Sequence, residues 1–492
     1  MRVILTHNCR PQILAKYQKM SYNYIVSWLL ITFTAAVSCV LTYVFSRYQH
    51  DPYMDEVFHV RQTLKYIQGN WKFWDSKITT PPGLYVAYVS AHKVLSLLGV
   101  LPPEPTAMHF RFSSVLFSII NHVIILRIAK IMKCNSPNIL AITIASEPLF
   151  LFFSAFYYTD HCSILFVMAS VYFILLHRDW LSALFVSYAV FTRQSNIIWV
   201  PLLMCIHTSG SLSQNMFGHD RCSSTMWIKR LLYMFVTHPL SVTLVMLKSV
   251  FRPCLPFVLV LFSFISFVII NKGIVLGDRE AHTAVLNIPQ FFYFATFCAL
   301  STPIQFVGYI VNSIKSFRNL LVNRSWRVLT IFLLLTPTFV LIILISLKYC
   351  LFIHPYLISD NRHYTFYIWR KIIYRNVFTY YGLSVVYLVA TAYFVNTLFF
   401  SYRNIPFGPF IERLVFLVCT FIVVIASGLL ELRYFLIPFV LWRVFSFSHT
   451  HYKYLLCEVL WSLLIVFITA YLFIFKPFEW PSEPGVYQRF MW

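Results

Sequence analysis

The sequence predicts an all-α, polytopic membrane protein, and three observations carry that prediction. Of 492 residues, 59% are hydrophobic and only 11% are charged, against roughly 45–50% and 25% in an ordinary soluble domain. Mean hydropathy is +0.70. Apolar runs recur at lengths near the ~20 residues that a spanning helix needs, and lysines and arginines gather between those runs.

In chain order, long apolar runs occupy 24–46, 110–132, 253–271, 291–311, 328–347, 377–400, 414–430 and 454–475. Shorter ones lie at 139–156, 162–177, 180–191, 197–206 and 434–445. The sum is about thirteen spans, each expected to be helical because backbone in lipid must satisfy its own hydrogen bonds.

The basic residues then set the topology. Arg2, Arg10, Lys16 and Lys19 precede the first run, and Arg127, Lys130 and Lys133 end the second. Arg221, Lys229, Arg230, Lys248 and Arg252 fill 208–252, and Lys315, Arg318, Arg324 and Arg327 fill a later loop. A cytosolic place for all four groups puts the N-terminus inside and the C-terminus outside. Segment 84–101 then lies along or dips into the membrane surface, within a first luminal loop of 47–109. The first run is too long for a signal-peptide core and reads as a start-transfer anchor. The whole chain, 1–492, forms one polytopic domain.

Topology absorbs the net charge of +22, so no nucleic-acid partner is expected. Eleven cysteines with no C-x-x-C pair read as small core hydrophobes. The sequon Asn323-Arg324-Ser325 falls in a cytosolic loop and is expected to stay unglycosylated.

The polar clusters fall on the opposite side. "YMDEVFHVRQTLKYIQGNWKFWDSKITTPPGLY", residues 53–85, holds Asp55, Glu56 and Asp75 out of only 17 acidic residues. Further clusters hold Asp160 and His161; Arg193 and Gln194; Asp278, Arg279, Glu280 and His282; His354, Asp360, Asn361, Arg362 and His363; and Glu431 and Arg433. Singly, a charge at a helix end snorkels to the headgroups and a Trp anchors the interface. Together, both signs on one side argue for a polar cavity facing that compartment. Adjacent carboxylates suit proton abstraction from a hydroxyl, and Trp71 and Trp74 suit sugar stacking. A transporter or channel-associated protein would also line its route with such charges, although no inverted repeat is evident.

The chain has no Walker loop, no G-x-G-x-x-G and no Asp-x-Asp, which argues against a nucleotide sugar. The stretches "YMDEVFH", "WDSKITTPPGLY", "YYTD", "FTRQSNIIWVP", "GDREAH", "DNRHYTFYIWRK" and "LLELRYFLIP" run in order from about 50 to 440. In them the chain resembles the dolichyl-phosphate-glucose-dependent alpha-1,2-glucosyltransferases of the endoplasmic reticulum membrane.

The resemblance implies a GT-C-type glycosyltransferase whose first luminal loop carries the catalytic carboxylate, with its active site facing the lumen. It implies dolichyl phosphate glucose as donor and a diglucosylated dolichyl-diphosphate oligosaccharide as acceptor. Inversion at the sugar then needs one base and no cofactor or metal. Asp55 is the expected base, with Glu56 as runner-up. Arg362, His363, Arg433 and Arg193 are expected around the phosphate, and Trp71, Trp74, Asp75, Tyr85, Asp160 and Asp360 toward the sugars. Asn287 departs from the family, where His is frequent. A purely structural subunit of a glycosyltransferase complex is a third reading.

Overall fold

The computed structural model describes residues 9–217, 229, 233, 235–279, 285–323, 325–400, 407–447 and 450–492. The first half runs as helices Cys9–Tyr48 (α1), Glu56–Ile67 (α2), Gly83–Leu97 (α3), Ala107–Ile131 (α4), Pro137–Ala145 (α5), Pro148–Ser154 (α6), Thr159–Leu175 (α7), Asp179–Thr192 (α8) and Val200–Phe217 (α9). Among the described residues, six helices are long and apolar enough to cross a membrane: 24–48 of α1, α4, Arg252–Asn271, Trp326–Tyr349, 377–399 and Tyr452–Phe475. Two bent helix pairs raise the number to eight if each is one span.

The expected count of about thirteen is larger because several apolar runs fold as short or broken helices. The 139–156 run breaks between α5 and α6, bent by 62°. Pro148 cannot donate a backbone bond there, and the Glu147 carboxylate accepts from the Phe150 N–H at 3.0 Å, capping α6. The 291–311 run turns by 102° at Pro303, between Pro289–Ser301 and Pro303–Val322. With 17 residues, α7 reaches only ~26 Å, short of a ~30 Å hydrocarbon core.

The long helices are only partly covered by protein, from 11% to 50% of their most hydrophobic windows. Trp326–Tyr349 is apolar all round, yet only 11% of its most hydrophobic window is covered by protein. Such a helix in water would have no stable packing. The protein-facing core runs instead through α7, which packs against α4 and α8. Small and hydrogen-bonded groups bring these helices close: Ser182 Oγ donates to Ser170 O at 2.9 Å, and Asn196 Nδ2 donates to Ser163 Oγ at 2.7 Å.

The fold departs from all-α at its end. Phe478–Trp480 (β1) and Glu483–Gln488 (β2) form an antiparallel hairpin, and Met491 then makes a parallel bridge to His363. The basic loop 208–252 falls partly outside the described residues, as do Arg221, Arg230, Glu280, His282 and Arg324. Asn287 is buried; its Nδ2 donates to Phe352 O at 3.0 Å and its backbone N–H to Ile425 O at 2.9 Å.

Candidate active site

Between α1 and α2 the chain turns sharply. Met54 takes φ +58°, a left-handed conformation that a non-glycine residue adopts only under constraint. Asp55 follows at the N-cap of α2, but its side chain caps nothing. It points instead to Arg433, whose Nη2 donates to Asp55 Oδ2 at 2.7 Å. Asp55 is surrounded by protein on most sides while 44% of its side chain stays accessible.

Burial alone would raise the Asp55 carboxyl; the Arg433 guanidinium outweighs it and holds the group below its ordinary value. Asp55 is therefore ionised at neutral pH. Arg433 also donates through Nε to Glu431 and lies over the rings of Tyr158 and Tyr434, at 5.1 and 5.5 Å. Tyr158 in turn accepts from the Asp55 N–H at 3.2 Å.

A second pair stands beside the first. α8 ends at Thr192, and the extended Arg193 that follows forms an ion pair with Asp160 Oδ1 at 2.9 Å and donates from Nε to Thr159 Oγ1 at 2.8 Å. Arg193 shares the Tyr434 ring with Arg433, at 5.7 Å. Gly83 helps set this spacing: a Cβ there would meet Phe191 O at 2.6 Å, so the Pro-Pro-Gly turn rests directly on the end of α8. The 274–279 loop seals the turn from outside, with Gln194 Nε2 donating to both Thr79 O and Ile274 O at 2.7 and 3.1 Å.

The third group is the Asp360–Arg362 fork. Arg362 donates to Asp360 through Nε and Nη2 at 2.9 and 2.7 Å and stacks on Trp480 at 4.7 Å. Burial would raise the Asp360 carboxyl, but Arg362 brings the net direction down. His363 donates from Nδ1 to Trp492 O at 3.0 Å. Three arginines are thus held at one end of the molecule, each on a carboxylate that an incoming anion would compete with.

Several expected residues sit elsewhere. Glu56 does not face the cleft: it is fully buried, and its carboxylate accepts from Arg111 Nε and Nη2, Tyr53 N and Tyr157 N at 2.7–3.2 Å. Its ion-pair partner is Arg111, while Arg61 reaches Asp75 at 3.6 Å. Asp75 is buried and accepts from Lys77 N at 3.0 Å, so it shapes the turn. Trp71 is half-exposed, against Tyr66 and beneath Lys93, away from the arginine cluster. Trp74 packs near Tyr85, and the buried Tyr85 hydroxyl bonds His59 Nδ1 at 2.7 Å.

Two residues were missed in the sequence. His59 lies one helical turn after Asp55; burial lowers it to about 4, so it is neutral. Its spacing from Asp55 was the available signal. Arg111 was visible as a lone guanidinium near the head of an otherwise apolar run.

The profile of the DIE2/ALG10 family matches residues 49–444. The chain belongs to that family. A human protein named Dol-P-Glc:Glc(2)Man(9)GlcNAc(2)-PP-Dol alpha-1,2-glucosyltransferase is 31% identical over 491 residues, covering 93% of this chain and 97% of its own. Proteins of the same name from Arabidopsis thaliana and Drosophila melanogaster are 33% and 32% identical, each covering 90% of this chain and 95% and 94% of their own. The DIE2/ALG10 match takes in Asp55, Asp160, Arg193, Asp360, Arg362, His363 and Arg433 and stops short of the β1–β2 hairpin.

Proposed function

We propose that this chain transfers glucose from dolichyl phosphate glucose to a diglucosylated dolichyl-diphosphate oligosaccharide, forming an alpha-1,2 linkage in the endoplasmic reticulum membrane. The observation that carries the mechanism is Asp55, ionised and open to the cleft at 2.7 Å from Arg433. Family membership supplies the reaction class.

Asp55 accepts the proton of the acceptor hydroxyl as its oxygen attacks the anomeric carbon. The bond from that carbon to the phosphate oxygen breaks, and its electron pair leaves with dolichyl phosphate. Attack from the far side inverts a beta glucosyl phosphate to an alpha glucoside, so one base suffices. Arg433, Arg362, His363 and Arg193 stabilise the departing phosphate charge. Asp160 and Asp360 hold two of those arginines in place until the donor arrives. Trp74 faces the sugar side, backed by the buried Tyr85.

The finer topology follows the basic loops: 47–109 is luminal, 208–252 cytosolic, and the bent pair 289–322, the short helices α5 to α9 and the apolar runs 414–430 and 434–445 also enter the bilayer, giving, with α5 and α6 as one segment, the thirteen-segment GT-C arrangement with the active site facing the lumen. The test uses purified protein with dolichyl phosphate glucose and a synthetic diglucosylated acceptor. Mass spectrometry should find one added hexose in alpha-1,2 linkage; no transfer by folded protein would reject the reading.

A further inference from the structure

The last four residues touch more of the candidate site than their position in the chain suggests. Arg489 is buried at 6% exposure. Its Nη1 donates to Phe473 O and Ile474 O at 2.8 and 3.2 Å, and its Nη2 to Tyr48 O at 2.8 Å. One guanidinium thus satisfies carbonyls at the ends of Tyr452–Phe475 and of α1, groups that a helix terminus leaves without internal partners. Its five donors in a fixed fork make this double reach available to arginine and not to lysine.

The main chain of the same segment grips the loops that carry the chemistry. Arg489 N–H and O both bond the Tyr53 hydroxyl at 2.8 Å. Tyr53 is buried and stands two residues before Asp55, with the constrained Met54 between them. Two residues on, Met491 N–H donates to Arg362 O at 3.0 Å and Tyr364 N–H to Met491 O at 2.9 Å. Trp492 O accepts from His363 Nδ1. A carbonyl accepts only from N–H, so this contact places a proton on Nδ1 of His363.

We infer that residues 489–492 are a strap that positions the reaction centre, with Arg489 as its anchoring residue. The strap ties the base-bearing turn, 53–55, to the phosphate-facing strip, 362–364, at a fixed separation. The inference rests on the reading of Asp55, Arg362 and His363 given above. A tail that only stabilised the helix ends would affect the amount of folded protein. A positioning strap affects turnover in protein that stays folded.

The experiment compares full-length wild type, Arg489→Ala, Arg489→Lys and a chain lacking Trp492, each purified in lipid nanodiscs. Melting midpoint, kcat and KM for donor and acceptor are measured, together with amide hydrogen exchange of 53–60 and 362–364. Arg489→Ala should lower kcat by roughly 10- to 100-fold, the effect of displacing reacting groups by about 1 Å. Acceptor KM should stay within about twofold, and Arg489→Lys should recover part of the loss. Loss of Trp492 should reduce kcat less, without lowering the melting midpoint. Exchange should quicken in both strips in Arg489→Ala. Wild-type kcat in Arg489→Ala, loss that merely tracks the folded fraction, or unchanged exchange in either strip would each overturn the strap. A wild-type protein that transfers no glucose would reject the functional reading, while the exchange data would still decide the strap.

Discussion

Asp55 and Glu56 are neighbours in the chain with opposite surroundings. Glu56 and Arg111 are both fully buried, and Arg111 also binds Ser46 Oγ, Gln49 O and Asp51 O, so the pair fastens α1, α2 and α4 together. Asp55 meets Arg433 at the same 2.7 Å but keeps 44% of its side chain accessible. A wrapped ion pair has no room for a substrate and is costly to break. A half-open pair can exchange its partner, which is what a base beside a phosphate site requires. Burial around the carboxylate, rather than the distance to its arginine, is what separates the two acids and suits Asp55 to the role proposed for it.

Asp55→Asn gives the largest expected effect. It keeps the shape and removes the basicity, so turnover should fall by ~10²–10⁴-fold with little change in protein abundance. Near-normal turnover would move the base to another carboxylate and end the contrast with Glu56. Glu56→Gln should act on folding instead, leaving Arg111 buried without its counter-charge at a cost of about 3–5 kcal/mol. Its folded fraction and melting midpoint should drop while kcat per folded molecule holds. A well-folded Glu56→Gln with collapsed kcat would reverse the two roles.

Smaller effects sharpen the open side. Arg433→Lys and Arg362→Lys keep the charge but lose the fork, costing on the order of 1.5–3 kcal/mol, or roughly ten- to hundredfold in donor use. Wild-type donor kinetics in both would make them headgroup anchors. The smallest effect concerns His59, held neutral down to about 4 by burial. Between its ordinary value near 6.5 and 4, the unfolded chain binds a proton that the folded one does not, so stability falls as pH drops through that window. Asp55 and Asp360, whose values are lowered, lose their contribution only at more acid pH. His59→Gln should therefore flatten the slope of melting midpoint against pH from 6.5 to 4; an unchanged slope would show that His59 is not the group responsible.

The membrane class and the polar stretches were legible because composition and short motifs are local properties. Asp55, Asp160, Arg193, Asp360, Arg362 and Arg433 could be named from them. Pairings were not legible, because partners lie far apart: Asp55 and Arg433 are 378 residues apart, and Glu56 and Arg111 are 55 apart. Hydropathy cannot see the 62° and 102° bends that divide two of the apolar runs. The strap was invisible for a different reason. Arg489 works through backbone carbonyls, which every residue has and which leave no pattern in side chains.

The strap also gives the molecule a schedule. Tyr53 and its partner Arg489 are 436 residues apart, which at ribosomal speeds of about 5–20 residues per second means a wait of roughly 20–90 s. Throughout that interval the turn before Asp55 has been made but lacks its clasp. Only after the final helix and the hairpin have been made can Arg489 bond the Tyr53 hydroxyl. A nascent chain short of residue 489 lacks that hold on the turn before Asp55.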